Sequence, residues 1–259
     1  MNDFSSKLIF LGTGTGVPSA ERASPAILLK LANIKLLIDL GPGTLRQLAR
    51  ASSAITEIDY ILLTHLHPDH SADLVPFLFA GKYPPYLVNR GPCTLFAGSD
   101  IDPFYQALQD LYGRWIEWPQ GLFTVISLPQ DQPWERGFPD FSLLSSPLDH
   151  TSSSLGYRIT LSKGKSLVFS GDSDYSSSLV ELAQGADLLV CECSFPEGQK
   201  VPGHLTPSLA GRIAREAGVS RLILTHFYPE CLGRDLVGPC AREYNGPITL
   251  AEDFQTINL

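Results

Sequence analysis

The chain is poor in positive charge. Its 259 residues hold 19 Lys plus Arg against 27 Asp plus Glu, a formal net charge of −8, and no basic tail. Affinity for long nucleic acids comes largely from neutralising phosphates, so this balance argues against a large RNA partner. A small phosphorylated substrate held through metal ions is compatible with it. Cysteine is sparse and odd in number: Cys93, Cys191, Cys193, Cys231 and Cys240 share no repeated short spacing. The single residue between Cys191 and Cys193 is tighter than the usual zinc hook, so the five read as reduced, mostly buried thiols rather than a disulfide framework. Long apolar runs are missing too. The most apolar stretch, 26–40, is interrupted by Lys30, Asn33, Lys35 and Asp39, and cannot span a bilayer. The first residues lack a basic segment followed by an apolar one and a cleavage site. A cytoplasmic protein without membrane contact is expected.

With 44% hydrophobic residues, the chain is long enough to bury one sizeable core, and residues 1–259 are expected to form a single domain. Short apolar runs bounded by Gly, Pro, Asp or Ser predict strands at 7–11, 26–31, 34–39, 60–63, 123–127, 141–146, 156–161, 166–169, 188–191, 221–224, 248–250 and 256–259. Helices are predicted at 45–51, 71–80, 103–118 and 178–184. The clearest helix follows Thr206 as N-cap, with Pro207 at its first position and Gly218 to end it. One echo recurs: Ile61-Leu62-Leu63-Thr64-His65 resembles Leu222-Ile223-Leu224-Thr225-His226, and Leu167-Val168-Phe169-Ser170-Gly171-Asp172 has a related form. Each is an apolar strand ending in a small residue and then a metal-type ligand. Sites in α/β architecture gather where loops leave the carboxyl ends of strands.

The strongest chemical signal is His65-Leu66-His67-Pro68-Asp69-His70. Three imidazoles and a carboxylate in six residues can divide between two metal ions, and such ligands suit zinc as well as manganese or iron. The remaining histidines, His150, His204 and His226, each stand beside small polar or turn-forming residues. His150 and His226 are ligand candidates. Asp172 is either a turn former or a carboxylate able to bridge two cations. His204 is either a proton donor or a residue closing the entry to the late helix.

In this order, HLHPDH, His150, Ser-Gly-Asp172 and Thr-His226 resemble the metallo-β-lactamase superfamily. The opening loop Leu11-Gly12-Thr13-Gly14-Thr15-Gly16-Val17-Pro18, the segment Leu37-Ile38-Asp39-Leu40-Gly41 and Gly203-His204-Leu205-Thr206 are similar to its ribonuclease Z-like branch. The glycine loop is no dinucleotide or Walker fingerprint, since spacing and lysine are wrong. The resemblance implies a four-layered αβ/βα sandwich in the α/β class, with the metals at one edge. It implies two divalent ions, most simply Zn2+ with Mn2+ or Fe as alternatives. One would be held by His65, His67 and His150, the other by Asp69, His70 and His226, with Asp172 bridging. Asp39 would orient the histidine loop through hydrogen bonds. A metal-bridging hydroxide would attack, Asp69 would help orient or deprotonate that water, and His204 would act as general acid.

Two departures bear on substrate. Ribonuclease Z enzymes carry a tRNA-gripping arm between the His150 and Gly-Asp motifs, whereas 155–169 here holds two predicted strands and a tight turn. Aromatics instead crowd 83–118: Tyr83, Tyr86, Phe104, Tyr105, Tyr112, Trp115 and Trp118, able to wall a pocket for a nucleoside or aryl group or to serve as core or dimer surface. The expected function is hydrolysis of small phosphodiesters such as cyclic nucleotides. The alternatives are endonucleolytic cleavage of RNA 3′ ends, and thioester, lactone or sulfate-ester hydrolysis on the same centre. A homodimer is expected from resemblance alone.

Overall fold

A computed structural model describes residues 6–259. In the first half, β1 (Lys7–Gly12), β2 (Ala26–Lys30) and β3 (Lys35–Ile38) form an antiparallel meander. Helix α1 (Thr44–Arg50) then leads to β4 (Tyr60–Leu62), helices α2 (Pro68–Ser71), α3 (Leu74–Gly81) and α4 (Pro84–Asn89) to β5 (Cys93–Gly98), and α5 (Ile101–Tyr112) to β6 (Phe123–Leu128). Strands β3 to β6 run parallel, as helical crossovers require.

The second half repeats the plan. An antiparallel run of β7 (Trp134–Gly137), β8 (Phe141–Pro147), β9 (Leu155–Leu161) and β10 (Ser166–Phe169) gives way to parallel β11 (Leu188–Glu192), β12 (Leu222–Thr225) and β13 (Ile248–Leu250). Helices α6 (Ser177–Leu182), α7 (Pro207–Ala217) and α8 (Val237–Ala241) make the crossovers. The chain finally returns to the first sheet, where β14 (Thr256–Asn258) pairs with β1. The sheet orders are β14-β1-β2-β3-β4-β5-β6 and β13-β12-β11-β10-β9-β8-β7.

Strand alternation builds the layers. Leu36, Ile38 and Leu62 point between the sheets toward Tyr157, Leu167, Phe169, Val190 and Ile223. Leu37, Ile61 and Leu63 point outward against Leu48, Leu74, Phe77 and Ile101 of the helices. On the other side Leu189, Cys191 and Leu224 pack on Leu179, Ala210, Ile213 and Ala214. The result is the expected four-layered αβ/βα sandwich. Two contacts tie the sheets together. Tyr157 donates its hydroxyl to the Leu63 carbonyl at 2.7 Å, and Asp253 accepts from Thr13 N and Oγ1, Ala23 N and Gln47 Nε2.

Several elements differ from expectation. The helix predicted at 71–80 begins earlier, with Pro68 in the first turn, and breaks before Leu74. At that break Asp73 accepts from the backbone N–H groups of Gly43 and Leu45, holding the start of α1 instead. The helix predicted to reach 118 ends at Tyr112, because Gly113 adopts φ 52°, and a 3-10 turn follows. Strands β5 and β7 and helices α4 and α8 lie outside the predicted elements; β5 is an almost wholly buried strand, whereas β7 is a mostly exposed polar edge strand without an apolar pattern.

The aromatic stretch splits in two. Phe104, Tyr105 and Trp118 pack against the first-sheet core, while Tyr83 and Trp115, more than half exposed, line a groove with Phe79, Lys82 and Arg114. None of these rings contacts the histidine cluster among the described residues. Between β9 and β10 the chain makes only a tight turn, with Gly164 N donating to Leu161 O and Leu161 N to Lys165 O. No helix among the described residues is long and apolar enough to cross a membrane.

Candidate metal centre

The carboxyl ends of the strands converge at one edge. Asp39 follows β3, His65 lies just past β4, His150 past β8, Asp172 past β10 and His226 past β12. The loop after β4 brings His67 at the start of α2 and Asp69 and His70 within it. Two glycines let these segments approach. A Cβ on Gly41 would sit 2.0 Å from the Asp69 carbonyl oxygen, and one on Gly171 would sit 2.5 Å from Thr64 Cβ at a φ of +56°. Asp39 and His226 themselves hold φ values of 59° and 61°, a left-handed conformation that costs non-glycine residues about 1–3 kcal/mol.

The donor atoms fall into three overlapping groups, of which the third joins His204 to Asp172 and His226. Ligand atoms of His65, His67, His150 and Asp172 lie within 4.8 Å of one another, and so do those of Asp69, His70 and His226. Asp172 stands between the groups. Its Oδ1 is 3.3 Å from Nε2 of both His70 and His226, and its Oδ2 is 3.9 Å from Nε2 of His65 and His150. Asp69 Oδ2 lies 3.6 Å from His226 Nε2 and 3.7 Å from His70 Nε2. All seven expected ligand positions are therefore brought together.

The outer nitrogens of the imidazoles are already engaged. His70 Nδ1 donates to Asp39 Oδ2 at 2.8 Å, and His150 Nδ1 to the Gly203 carbonyl at 2.8 Å. His65 Nδ1 meets the Thr64 hydroxyl at 3.1 Å, while that hydroxyl and the Thr64 N–H reach Asp39. With a proton on its outer side, an imidazole can offer its inner nitrogen's lone pair to a cation. His70 and His226 then face each other Nε2 to Nε2 at 3.2 Å, and His150 Nε2 faces His67 Nδ1 at 3.2 Å. His65 Nε2 and Asp172 Oδ1 are buried with no partner. Converging lone pairs and orphaned buried acceptors are costly unless a cation lies among them. These residues fit two divalent ions bound through nitrogen and oxygen.

The electrostatics agree. Burial, together with the neighbouring His70, pushes the His65 imidazole well below its ordinary pKa, keeping it neutral as a ligand must be. Burial would raise the Asp172 and Asp69 carboxyls, but His226 and His70 hold both below the usual range. Burial would likewise lower His70, yet Asp172 and Asp39 raise it well above the ordinary value. That proton sits where a cation would displace it.

His204 stands beside this cluster with a different partner. Its Nδ1 is 3.1 Å from Glu192 Oε1, against 3.9 Å from Asp172 Oδ2. Burial would lower its pKa, but Glu192 raises it. It does not cap α7, whose N-cap position is Thr206 and whose end is Gly218 in the left-handed conformation. Phe195 and Tyr228 stack at 4.7 Å and meet His204 edge-on at 5.7 and 5.9 Å.

Glu192 was not among the residues that the motifs single out. It is 1% exposed and accepts from the backbone N–H groups of Ser173, Ser194 and Leu205. The signal lay in strand alternation. Along 188–193 the leucine and cysteine side chains facing the helices alternate with Val190 and Glu192. Cys191 and Cys193 accordingly belong to the helix-side core, and burial pushes both thiols up. All five cysteines are buried and unpaired.

Comparison with known proteins places the fold in a family. Residues 35–227 match the family model described as a beta-lactamase superfamily domain. The uncharacterized protein Rv1339 of Mycobacterium tuberculosis is 32% identical over 247 residues, covering 94% of this chain and 89% of that one. Ribonuclease Z of Archaeoglobus fulgidus is 28% identical over 309 residues, covering 98% and 97%. That alignment is longer than the present 259 residues, so the relative carries segments without counterpart here. The crystal structure of the metallo-beta-lactamase fold protein YhfI from Bacillus subtilis superposes with a TM-score of 0.83 at 26% identity, covering 98% of this chain and 100% of that one.

Proposed function

This chain belongs to the metallo-β-lactamase superfamily, in its ribonuclease Z-like branch of metal-dependent hydrolases, and we propose that it hydrolyses small phosphodiesters such as cyclic nucleotides. The observation that carries this reading is His204 paired with buried Glu192 beside the two ligand groups. A diester releases an alkoxide that needs a proton, and an imidazole whose pKa is raised by Glu192 beside the ligand groups is suited to supply it.

His65, His67 and His150 would hold one divalent ion, Asp69, His70 and His226 the other, and Asp172 would touch both. When bound, such ions furnish a nucleophilic water at neutral pH and neutralise charge on the phosphate. The protein's own part is positional. Asp69, kept ionised by His226 and His70, orients the attacking water by accepting its hydrogen bond. As the water oxygen bonds to phosphorus it gives one proton to Asp69, and as the bond to the leaving oxygen breaks His204 passes its proton to that oxygen, so that the two side chains together exchange one proton. Glu192 steadies the imidazolium before transfer.

Small size of substrate is supported by the tight turn between β9 and β10, which leaves no arm to grip a folded RNA, and by the net charge of −8. Endonucleolytic trimming of RNA 3′ ends is the second reading, favoured by the ribonuclease Z relatives. The test is hydrolysis of bis(p-nitrophenyl) phosphate by zinc- and manganese-reconstituted protein, with Asp69→Ala as blank, followed by 3′,5′-cyclic nucleotides beside a tRNA precursor. Metal-dependent turnover of the small diesters with an uncut precursor supports the proposal. Precursor cleavage without cyclic nucleotide turnover replaces it with the second reading. Silence toward every diester at full metal occupancy overturns both and points to esters or thioesters.

A further inference from the structure

The Ser194 hydroxyl lies among three charged or ligating groups. Its Oγ is 2.9 Å from His226 Nδ1, 3.2 Å from His204 Nδ1 and 2.5 Å from Glu192 Oε2, and the residue is fully buried. A serine hydroxyl offers one proton and two lone pairs, whereas an ionised carboxylate only accepts. The serine proton therefore goes to Glu192, leaving one lone pair for the His226 N–H and the other for the His204 Nδ1–H, which is shared between Ser194 Oγ and Glu192 Oε1. The reverse assignment fails. If Ser194 donated to His226 Nδ1, the ring proton would sit on Nε2, aimed at His70 and Asp172, and that nitrogen could not ligate.

The same construction appears in the other half of the molecule. There the Thr64 hydroxyl stands between the Asp39 carboxylate and His65 Nδ1. Each half thus holds one imidazole through a carboxylate–hydroxyl–imidazole chain, and groups behind metal ligands commonly fix ring tautomer and orientation. Only Ser194 also reaches the proton-donor histidine.

We infer that Ser194 is a positioning residue that holds His226 in its cation-binding tautomer and couples this ligand, through one hydroxyl, to the His204–Glu192 pair. The inference rests on the two-metal reading of the site. Its consequence is asymmetric: loss of the hydroxyl should weaken the Asp69–His70–His226 group and leave the His65–His67–His150 group intact.

The test is Co2+ titration of the metal-free full chain, read by visible absorption and by competition with a chelator, for wild type, Ser194→Ala and Ser194→Thr. Wild type and Ser194→Thr are expected to take up two ions with similar affinities. Ser194→Ala is expected to keep the first affinity and bind the second ion at least about 10-fold more weakly, the usual cost of losing such a partner. Two ions bound by Ser194→Ala with wild-type affinity and spectrum overturn the inference, whatever its melting temperature. So does a Ser194→Thr variant weakened as much as the alanine. A wild type that takes up no second ion overturns the two-metal reading itself, and is told apart because the failure then precedes any substitution.

Discussion

The imidazole of His204 and the carboxylate of Glu192 meet at 3.1 Å, from Nδ1 to Oε1, with the carboxylate buried and the ring reaching the open edge of the cluster. The pair makes a proton donor on which burial and neighbouring carboxylates act in opposite directions, with Glu192 the foremost of those carboxylates. Glu192 raises the His204 pKa, so the acid form persists to higher pH than a free histidine would allow. If His204 must be protonated to act, the rate falls as pH rises through this raised value. Glu192→Gln removes the charge at nearly constant shape, lowers the His204 pKa and moves that falling limb to lower pH. A pH–rate profile of the variant checks this, and a limb that stays in place would detach Glu192 from the proton donor.

His204→Ala should keep both metal ions and slow turnover by roughly 10²–10⁴-fold, the usual contribution of a positioned general acid. Metal analysis beside kcat separates the two effects. An unchanged rate would leave His204 only its packing against Phe195 and Tyr228.

His67→Ala removes an inward nitrogen from the group that also contains His65, His150 and Asp172. The variant should bind less metal and lose turnover together. Normal metal content with a normal rate would remove His67 from the ligand set.

Chelation should lower thermal stability. Ions that bind only the folded chain stabilise it by about 2.7 kcal/mol per site at a free concentration 100 times Kd. Removing them also restores the unmet contacts at His65 Nε2 and Asp172 Oδ1. Melting curves before and after chelation, and after zinc is returned, should show a fall and a recovery of Tm.

Gly41→Ala places a methyl group 2.0 Å from the Asp69 carbonyl oxygen. Backbone must shift to relieve this, at a cost of about 1–3 kcal/mol, and the shift displaces the helix bearing Asp69 and His70. Lower Tm and weaker metal binding should appear together. A variant as stable as wild type, with full metal affinity, would show that the α2 segment yields without consequence.

Much of this site is written in plain patterns. HLHPDH is dense enough to speak alone, and the echo of Thr64-His65 in Thr225-His226 marks strand ends that the fold brings to one edge. Pro207 and Gly218 bracket α7 as their local chemistry dictates, and Thr206 takes the N-cap position without its side chain capping the helix. Glu192 escaped notice because two cysteines flank it and draw attention to a CxC spacing, although alternation sends them to the opposite face. Ser194 had no local signal at all, since its importance lies in partners at 204 and 226 that only tertiary folding delivers. The left-handed φ of Asp39 and His226 is only faintly signalled, because Asp and His are enriched in that conformation yet adopt it at a small minority of their positions. The aromatics of 83–118 share a helical spacing, but spacing does not say which rings the core will take.

The pairing of β14 with β1 orders events during synthesis. The Thr13–Asp253 contact joins positions 240 residues apart, which a ribosome separates by roughly tens of seconds. Throughout that interval β1 lacks its β14 neighbour, and Thr13 and Ala23 at the base of the loop that includes Gly16 lack the Asp253 carboxylate that later ties them together. The histidines of the first half therefore exist long before their enclosure does. The nascent chain carries the ligands of its first half without a finished edge, and the Asp69–His70 pair gains its third partner only once His226 has been made.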